Sequence, residues 1–184
     1  VRAEIDRLRY GYPRVFLVAH SLGGLLALDY AAGHTENPVK GIVLMGTPLR
    51  LRFHVNVIRN ALKLYLTPPA DDDPVTAAYR LGYGLEKPLL NPFATVRPGL
   101  ALWRMIHRTR RKLAEVRTPT LIIQSDGDET AAPVSAAMLA ELLGENSRRV
   151  CLRQSLHAWL HPDERALVES EIDNFLNDPE KAVS

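Results

Sequence analysis

Apolar residues along the chain fall into two alternating kinds of run. Val15-Phe16-Leu17-Val18-Ala19, Gly41-Ile42-Val43-Leu44-Met45 and Thr120-Leu121-Ile122-Ile123 are short and almost wholly apolar. Such runs predict strands buried on both faces of a parallel sheet. A fourth run, Arg149 to Arg153, is more polar and is expected nearer an edge, with Cys151 as a buried strand residue. Between them lie helical patterns. Val1, Ile5 and Leu8 make an amphipathic stripe closed by Gly11 and Pro13; Leu22 to Ala32 stops at Gly33; Pro133 to Leu143 stops at Gly144; Pro162 to Asn177 ends at Pro179. Strands alternating with helices predict an α/β fold, a parallel sheet with helices on both faces.

The alternation fails between about Thr47 and Val116. Pro68-Pro69, Asp71-Asp72-Asp73-Pro74, Pro88, Asn91-Pro92 and Pro98-Gly99 punctuate helical pieces around Val55 to Leu66 and Leu100 to Leu113. This stretch reads as an inserted helical cap over the carboxyl ends of the strands. The expected organisation is therefore 1–46 as one part of the core sheet, 47–116 as cap, and 117–184 as the rest of the core.

Composition narrows the partners. The 184 residues are 46% hydrophobic, enough for one domain with a sizeable core. The 23 basic side chains against 21 acidic ones leave a formal charge of +2, too small and scattered to argue for nucleic acid or an anionic membrane. With one cysteine, neither an intrachain disulfide nor a thiolate metal cluster is available. No apolar run approaches the ~18 residues of a membrane span. The expectation is a cytoplasmic protein with no cofactor and no metal, and no stable membrane insertion. Asp71-Asp72-Asp73 lacks the spaced ligands of a calcium loop. The cluster Arg104, Arg108, Arg110, Arg111 and Lys112 reads as the exposed face of the helix returning from cap to sheet.

The chemistry lies in Val18-Ala19-His20-Ser21-Leu22-Gly23-Gly24, where a buried strand passes through a small-x-Ser-x-Gly turn directly into a helix. A serine on such a strained turn has its hydroxyl exposed, and the small flanking residues let strand and helix approach. Leu22, opening the helix, offers its N–H to an oxyanion. A serine hydroxyl becomes nucleophilic only when an imidazole takes its proton, and the imidazole needs a carboxylate to fix its tautomer. The loop after the third strand offers Asp126, Asp128 and Glu129. Six histidines are present. His20 should point away from the serine and serve packing or hydrogen bonding beneath the loop, and His34, His54 and His107 read as surface residues.

Three segments together, Ala19 to Gly24, Leu44-Met45-Gly46-Thr47-Pro48 and Pro119 to Asp128, followed by Ser155-Leu156-His157, give the chain a resemblance to the α/β-hydrolase serine hydrolases, notably bacterial carboxylesterases and monoacylglycerol lipases. Ala19 stands where the usual pattern has Gly. The resemblance implies a Ser-His-Asp catalytic triad. Its Gly-x-x-Asp loop corresponds to Ser125-Asp126-Gly127-Asp128, which puts Asp128 in the acid place and leaves Asp126 as a turn residue. His157 follows the last strand where the family has its histidine, whereas His161, before Pro162, reads as a helix-start residue.

The function so implied is a serine esterase that works through an acyl-enzyme on small acyl-ester substrates. A cap containing Leu64, Tyr65, Leu66, Tyr79, Tyr83, Leu89, Leu90, Phe93 and Trp103 suggests an apolar acyl pocket. The same triad also serves thioesterases, acyltransferases, peptidases and cofactor-free peroxidases. The resemblance further places earlier strands, and the loop carrying a second oxyanion donor, before Val1. On that expectation the Val15 to Ala19 strand is an unpaired sheet edge through which chains associate, and a non-catalytic remnant is the rival reading.

Overall fold

A computed structural model describes residues 1–35, 39–52 and 92–183. The elements run in the order α1 (Arg2–Gly11), β1 (Phe16–His20), α2 (Leu22–Ala32), β2 (Gly41–Met45), α3 (Pro92–Lys112), β3 (Thr120–Ser125), α4 (Val134–Leu143), β4 (Ser147–Leu152), α5 (Pro162–Asn177) and α6 (Pro179–Val183). All four strands are parallel, in the spatial order β1-β2-β3-β4. Each is joined to the next through at least one helix, as parallel pairing requires.

Strand position in the sheet follows apolar content. β2 and β3 are central, and β3 is buried at every residue. Their side chains alternate between two cores. Ile42, Leu44 and Ile122 pack with Leu25, Leu28, Tyr30, Ile106, Leu113 and Leu139 under α1 to α4. Val43, Leu121 and Ile123 pack with Val150, Leu152, Val168 and Phe175 under α5.

The edges depart from the expectation of full burial. β1 borders the described sheet, and Val18 is 57% exposed there. At the other edge β4 buries Val150 and Leu152, while Cys151 between them is exposed rather than buried. Strand alternation turns Cys151 away from those two core residues, and an edge strand has less to cover its second face.

Helix ends follow local chemistry closely. α2 is apolar around most of its circumference and is buried from Gly24 to Ala32 except at the half-buried Leu26. His161 caps α5 by accepting from Asp163 N, with Pro162 at the first helical position. Pro133 precedes α4 as its N-cap rather than opening it. α3 runs through Pro98-Gly99, which had marked a break. Pro98 is the seventh residue of α3, past the first turn, so the helix forgoes the bond that an N–H there would make to the residue four before it and still continues on both sides.

The polar side of the helical layer has one anchor absent from the sequence reading. Asp29 of α2 is 5% exposed and meets Arg2 of α1 together with Arg108 and Lys112 of α3. Arg104, Arg108, Arg110 and Arg111 are exposed as expected of that helix face, while Arg108 and the half-buried Lys112 also reach the buried carboxylate. His34 stacks on Tyr30 with ring centroids 4.0 Å apart. Most of the expected cap, including His54 and Asp71 to Asp73, lies outside the described residues.

Candidate active site

β1 delivers Ser21 to the carboxyl end of the sheet, and α2 begins at the next residue. The turn demands φ 53° and ψ −123° at Ser21, the sole non-glycine residue with positive φ among the described residues. A non-glycine residue held there stores strain that its surroundings must over-determine. Part of that restraint is the bond from Ser21 N to Met45 O, 2.9 Å.

Close packing of α2 supplies the rest. A Cβ at Gly24 would stand 1.9 Å from Thr47 Oγ1, so glycine is what lets the first turn of α2 settle against the end of β2. The Ala19 departure is accommodated, since a Cβ at Gly23 would meet the Ala19 methyl at an ordinary 3.8 Å. Leu22 opens α2, where N–H groups lack intrahelical acceptors and point beyond the helix.

β3 carries the acid loop. Asp128 is 2% exposed; its Oδ1 accepts from Thr130 N at 2.8 Å and Ala131 N at 2.7 Å. Its Oδ2 accepts from Gln124 Nε2 and from His157 Nδ1, each at 2.9 Å. Burial alone would raise the Asp128 pKa. The His157 bond and charge, with the two backbone donors, outweigh it and hold the carboxyl below its ordinary value. Asp126 is exposed at the turn and takes no part in the bond to His157.

His157, on the loop after β4, completes the chain of contacts: its Nε2 lies 2.9 Å from Ser21 Oγ. A carboxylate only accepts, so Nδ1 carries the imidazole proton toward Asp128 and leaves Nε2 free to accept from the serine hydroxyl. The three side chains singled out from sequence therefore meet, from three loops widely separated in the chain.

His20 lies 4.8 Å from the His157 ring, centroid to centroid, and its Nε2–H donates to His157 O at 2.7 Å. It is turned from the serine to the histidine loop. Glu129, an acid candidate in the sequence, instead accepts from His157 N at 3.0 Å. Reasoning from sequence missed Ser125, Ser155 and Glu164, which fix the same loop. The signal for Glu164 was its place two residues after Pro162, in a first helical turn facing the histidine segment.

A cavity of about 300 Å³ lies against His157. Met45, Ile123, Leu152, Leu156, Trp159 and Leu160 form its apolar wall. Trp103, expected in an acyl pocket, is instead 56% exposed on α3 and pairs with His107, ring centroids 4.2 Å apart. The remaining expected cap residues lie outside the described residues, as does the side chain of Phe93. Among the described residues no group of His, Cys, Asp and Glu is arranged to hold a metal ion, and no helix is long and apolar enough to cross a membrane.

Solved structures share this arrangement of strands and helices. A monoacylglycerol lipase of Paleococcus ferrophilus superposes with a TM-score of 0.66 at 18% identity, over 95% of this chain and 73% of that one. An esterase from Rhodococcus sp. gives 0.54 at 20%, over 90% and 66%. A meta-cleavage product hydrolase from Pseudomonas fluorescens gives 0.56 at 19%, over 90% and 65%. The chain thus spans roughly two thirds to three quarters of the length of these proteins, and at such identities the likeness establishes the α/β-hydrolase fold. No curated protein matches the chain in sequence. Residues 2–164, most of the chain, match the family described as serine aminopeptidase, S33, and the chain belongs to that family.

Proposed function

We propose that this protein is a serine hydrolase of carboxylic esters that works through an acyl-enzyme. The observation that carries the reading is the unbroken line from Ser21 Oγ through His157 to Asp128, with 2.9 Å at each junction. In this mechanism Ser21 attacks the ester carbonyl while His157 Nε2 takes its proton. The Leu22 N–H donates to the oxyanion that develops on the carbonyl oxygen. The protonated imidazole, stabilised by the Asp128 carboxylate, then gives its proton to the departing alkoxide. Water repeats the sequence on the acyl-enzyme and frees the acid.

Selectivity for uncharged acyl or alkyl groups is supported by the apolar wall beside His157. Burial of each methylene contributes roughly 0.8 kcal/mol. A lipase and an esterase are among the similar structures, which agrees with an ester substrate.

A second reading has one observation in its favour, the family description as serine aminopeptidase. The chemistry of acyl transfer is the same, and the leaving group differs. Assay of p-nitrophenyl esters of increasing chain length against aminoacyl p-nitroanilides separates the two. The ester reading expects efficiency to rise from acetate until the pocket is full, with Ser21→Ala abolishing turnover. Faster cleavage of the anilides moves the activity to a peptidase, and hydrolysis that survives Ser21→Ala removes both.

A further inference from the structure

His157 owes its place to a loop whose backbone is held by side chains from β1, β3, α5 and the loop after β3, and the densest set of contacts is at Ser155. That residue is 3% exposed, and each of its polar groups is engaged. Its carbonyl accepts from Ser125 Oγ at 2.5 Å, its N–H donates to Glu164 Oε2 at 2.9 Å, and its hydroxyl donates to the same oxygen at 2.5 Å while accepting from His161 N at 3.0 Å. The other oxygen of Glu164 accepts from Arg153 N at 2.6 Å and Gln154 N at 3.2 Å. One carboxylate therefore receives three consecutive backbone N–H groups and a hydroxyl, a concave donor set of the kind that selects anions.

We propose that Glu164 is a positioning residue for His157, its carboxylate fixing the backbone of Arg153 to Ser155 and thereby the register of the imidazole between Ser21 and Asp128. This rests on the hydrolase reading above for its effect on turnover, but not for its effect on the imidazole. The clamp lies close to the imidazole in the chain: only Leu156 separates the clamped Ser155 from His157. Beyond it, Glu129 and His20 hold the N–H and carbonyl of His157 itself. Four donors outweigh the burial that would otherwise raise the Glu164 pKa and keep the group ionised. A glutamine presents a single acceptor oxygen and an NH₂ group that faces donors, so it cannot reproduce the contact.

The bland role for Glu164 is that of an acidic residue in the first turn of α5, favourable to the helix dipole and nothing more. Asp163 has that role too, with its side chain 77% exposed and 3.7 Å from His161 Nδ1, and serves as the control. The test compares Glu164→Ala, Glu164→Gln and Asp163→Ala with the wild-type chain. Two quantities are read at a temperature where circular dichroism shows all to be folded. One is kcat and KM for a p-nitrophenyl ester; the other is the low-field proton resonance of His157 Nδ1–H bonded to Asp128.

For Glu164→Ala the expectation is a kcat lowered about 10- to 100-fold, KM within about twofold, and a broadened or lost resonance, since misplacement of a reacting group by about 1 Å costs on that order. Asp163→Ala should leave all three as in wild type. If the alanine variant does not fold, Glu164→Gln gives the same readings. A kcat and resonance unchanged in the Glu164 variants, or changed equally in Asp163→Ala, would overturn the proposal. Absence of Ser21-dependent turnover in the wild-type chain would defeat the hydrolase reading and leave the resonance to decide this one.

Discussion

A side-chain carbon at Gly46 would stand 3.2 Å from His157 Nδ1, and 3.1 Å from the Asp128 oxygen bonded to it. The backbone after β2 is thus the floor beneath the Asp128–His157 bond, and its φ of +55° is a second reason for glycine. Gly46→Ala should lower kcat about 10- to 100-fold by displacing the imidazole. It should also cost on the order of 1 kcal/mol in stability from the left-handed backbone. Paired ester kinetics and urea unfolding check the two effects; lost stability with full turnover would mean that the floor does not touch the bond.

Asp128 and Asp126 are two residues apart, yet one is buried against the imidazole and the other exposed. Asp128→Asn should lower turnover by about 10⁴, because an amide favours the wrong tautomer of the histidine. Asp126→Asn should lower it less than about threefold, within the small effect of an exposed substitution. Steady-state kinetics on the two variants distinguish the positions, and equal losses would contradict the assignment of the acid.

Because folding lowers the Asp128 pKa, its carboxylate contributes stability that is fully present above the ordinary Asp value near ~3.9. That contribution is lost as pH falls through the lower folded value. Thermal unfolding of wild type and Asp128→Asn across about pH 7 to 3 should therefore show the wild type losing Tm more steeply at the acid end. A constant difference in Tm over the whole range would mean that the folded site does not favour the carboxylate.

Asp29 joins three helices through cations whose side chains are 36% to 53% exposed. Burial opposes its charge, and the Arg2 bond with the Arg108 and Lys112 charges overcomes it. Solvent screening of the partners places Asp29→Asn below the ~3–5 kcal/mol of a fully buried broken pair, at about 1–2 kcal/mol. Chemical denaturation measures the loss; an unchanged midpoint would show the cluster to be neutral.

Legibility in the sequence followed the range of the interactions. The bounds of α2 and α5 are set by neighbours in the chain, Gly33 and the His161-Pro162 pair, and both were read correctly. The segment bearing Ser21 was visible because strand, turn and residue type coincide there, whereas Asp128 and His157 were singled out by the family resemblance, the residues alone leaving three acids and several histidines open. Exposure of Cys151 and Val18 was not visible, since an apolar run does not state which of its side chains an edge position leaves uncovered. Neither was the convergence of Ser125 and Glu164 on Ser155, which joins β3, α5 and a loop through side chains that resemble ordinary surface polar residues. Asp29 was hidden for the same reason: its partners lie 27 residues before it and 79 and 83 after it.

The central claim is that His157 activates Ser21, and covalent labelling by a fluorophosphonate, mapped by peptide mass spectrometry, tests it most directly. The reagent should modify Ser21 alone, rapidly in wild type, much more slowly in His157→Ala, and not at all in Ser21→Ala. Modification of another serine, or labelling of Ser21 at the same rate without His157, would contradict the account.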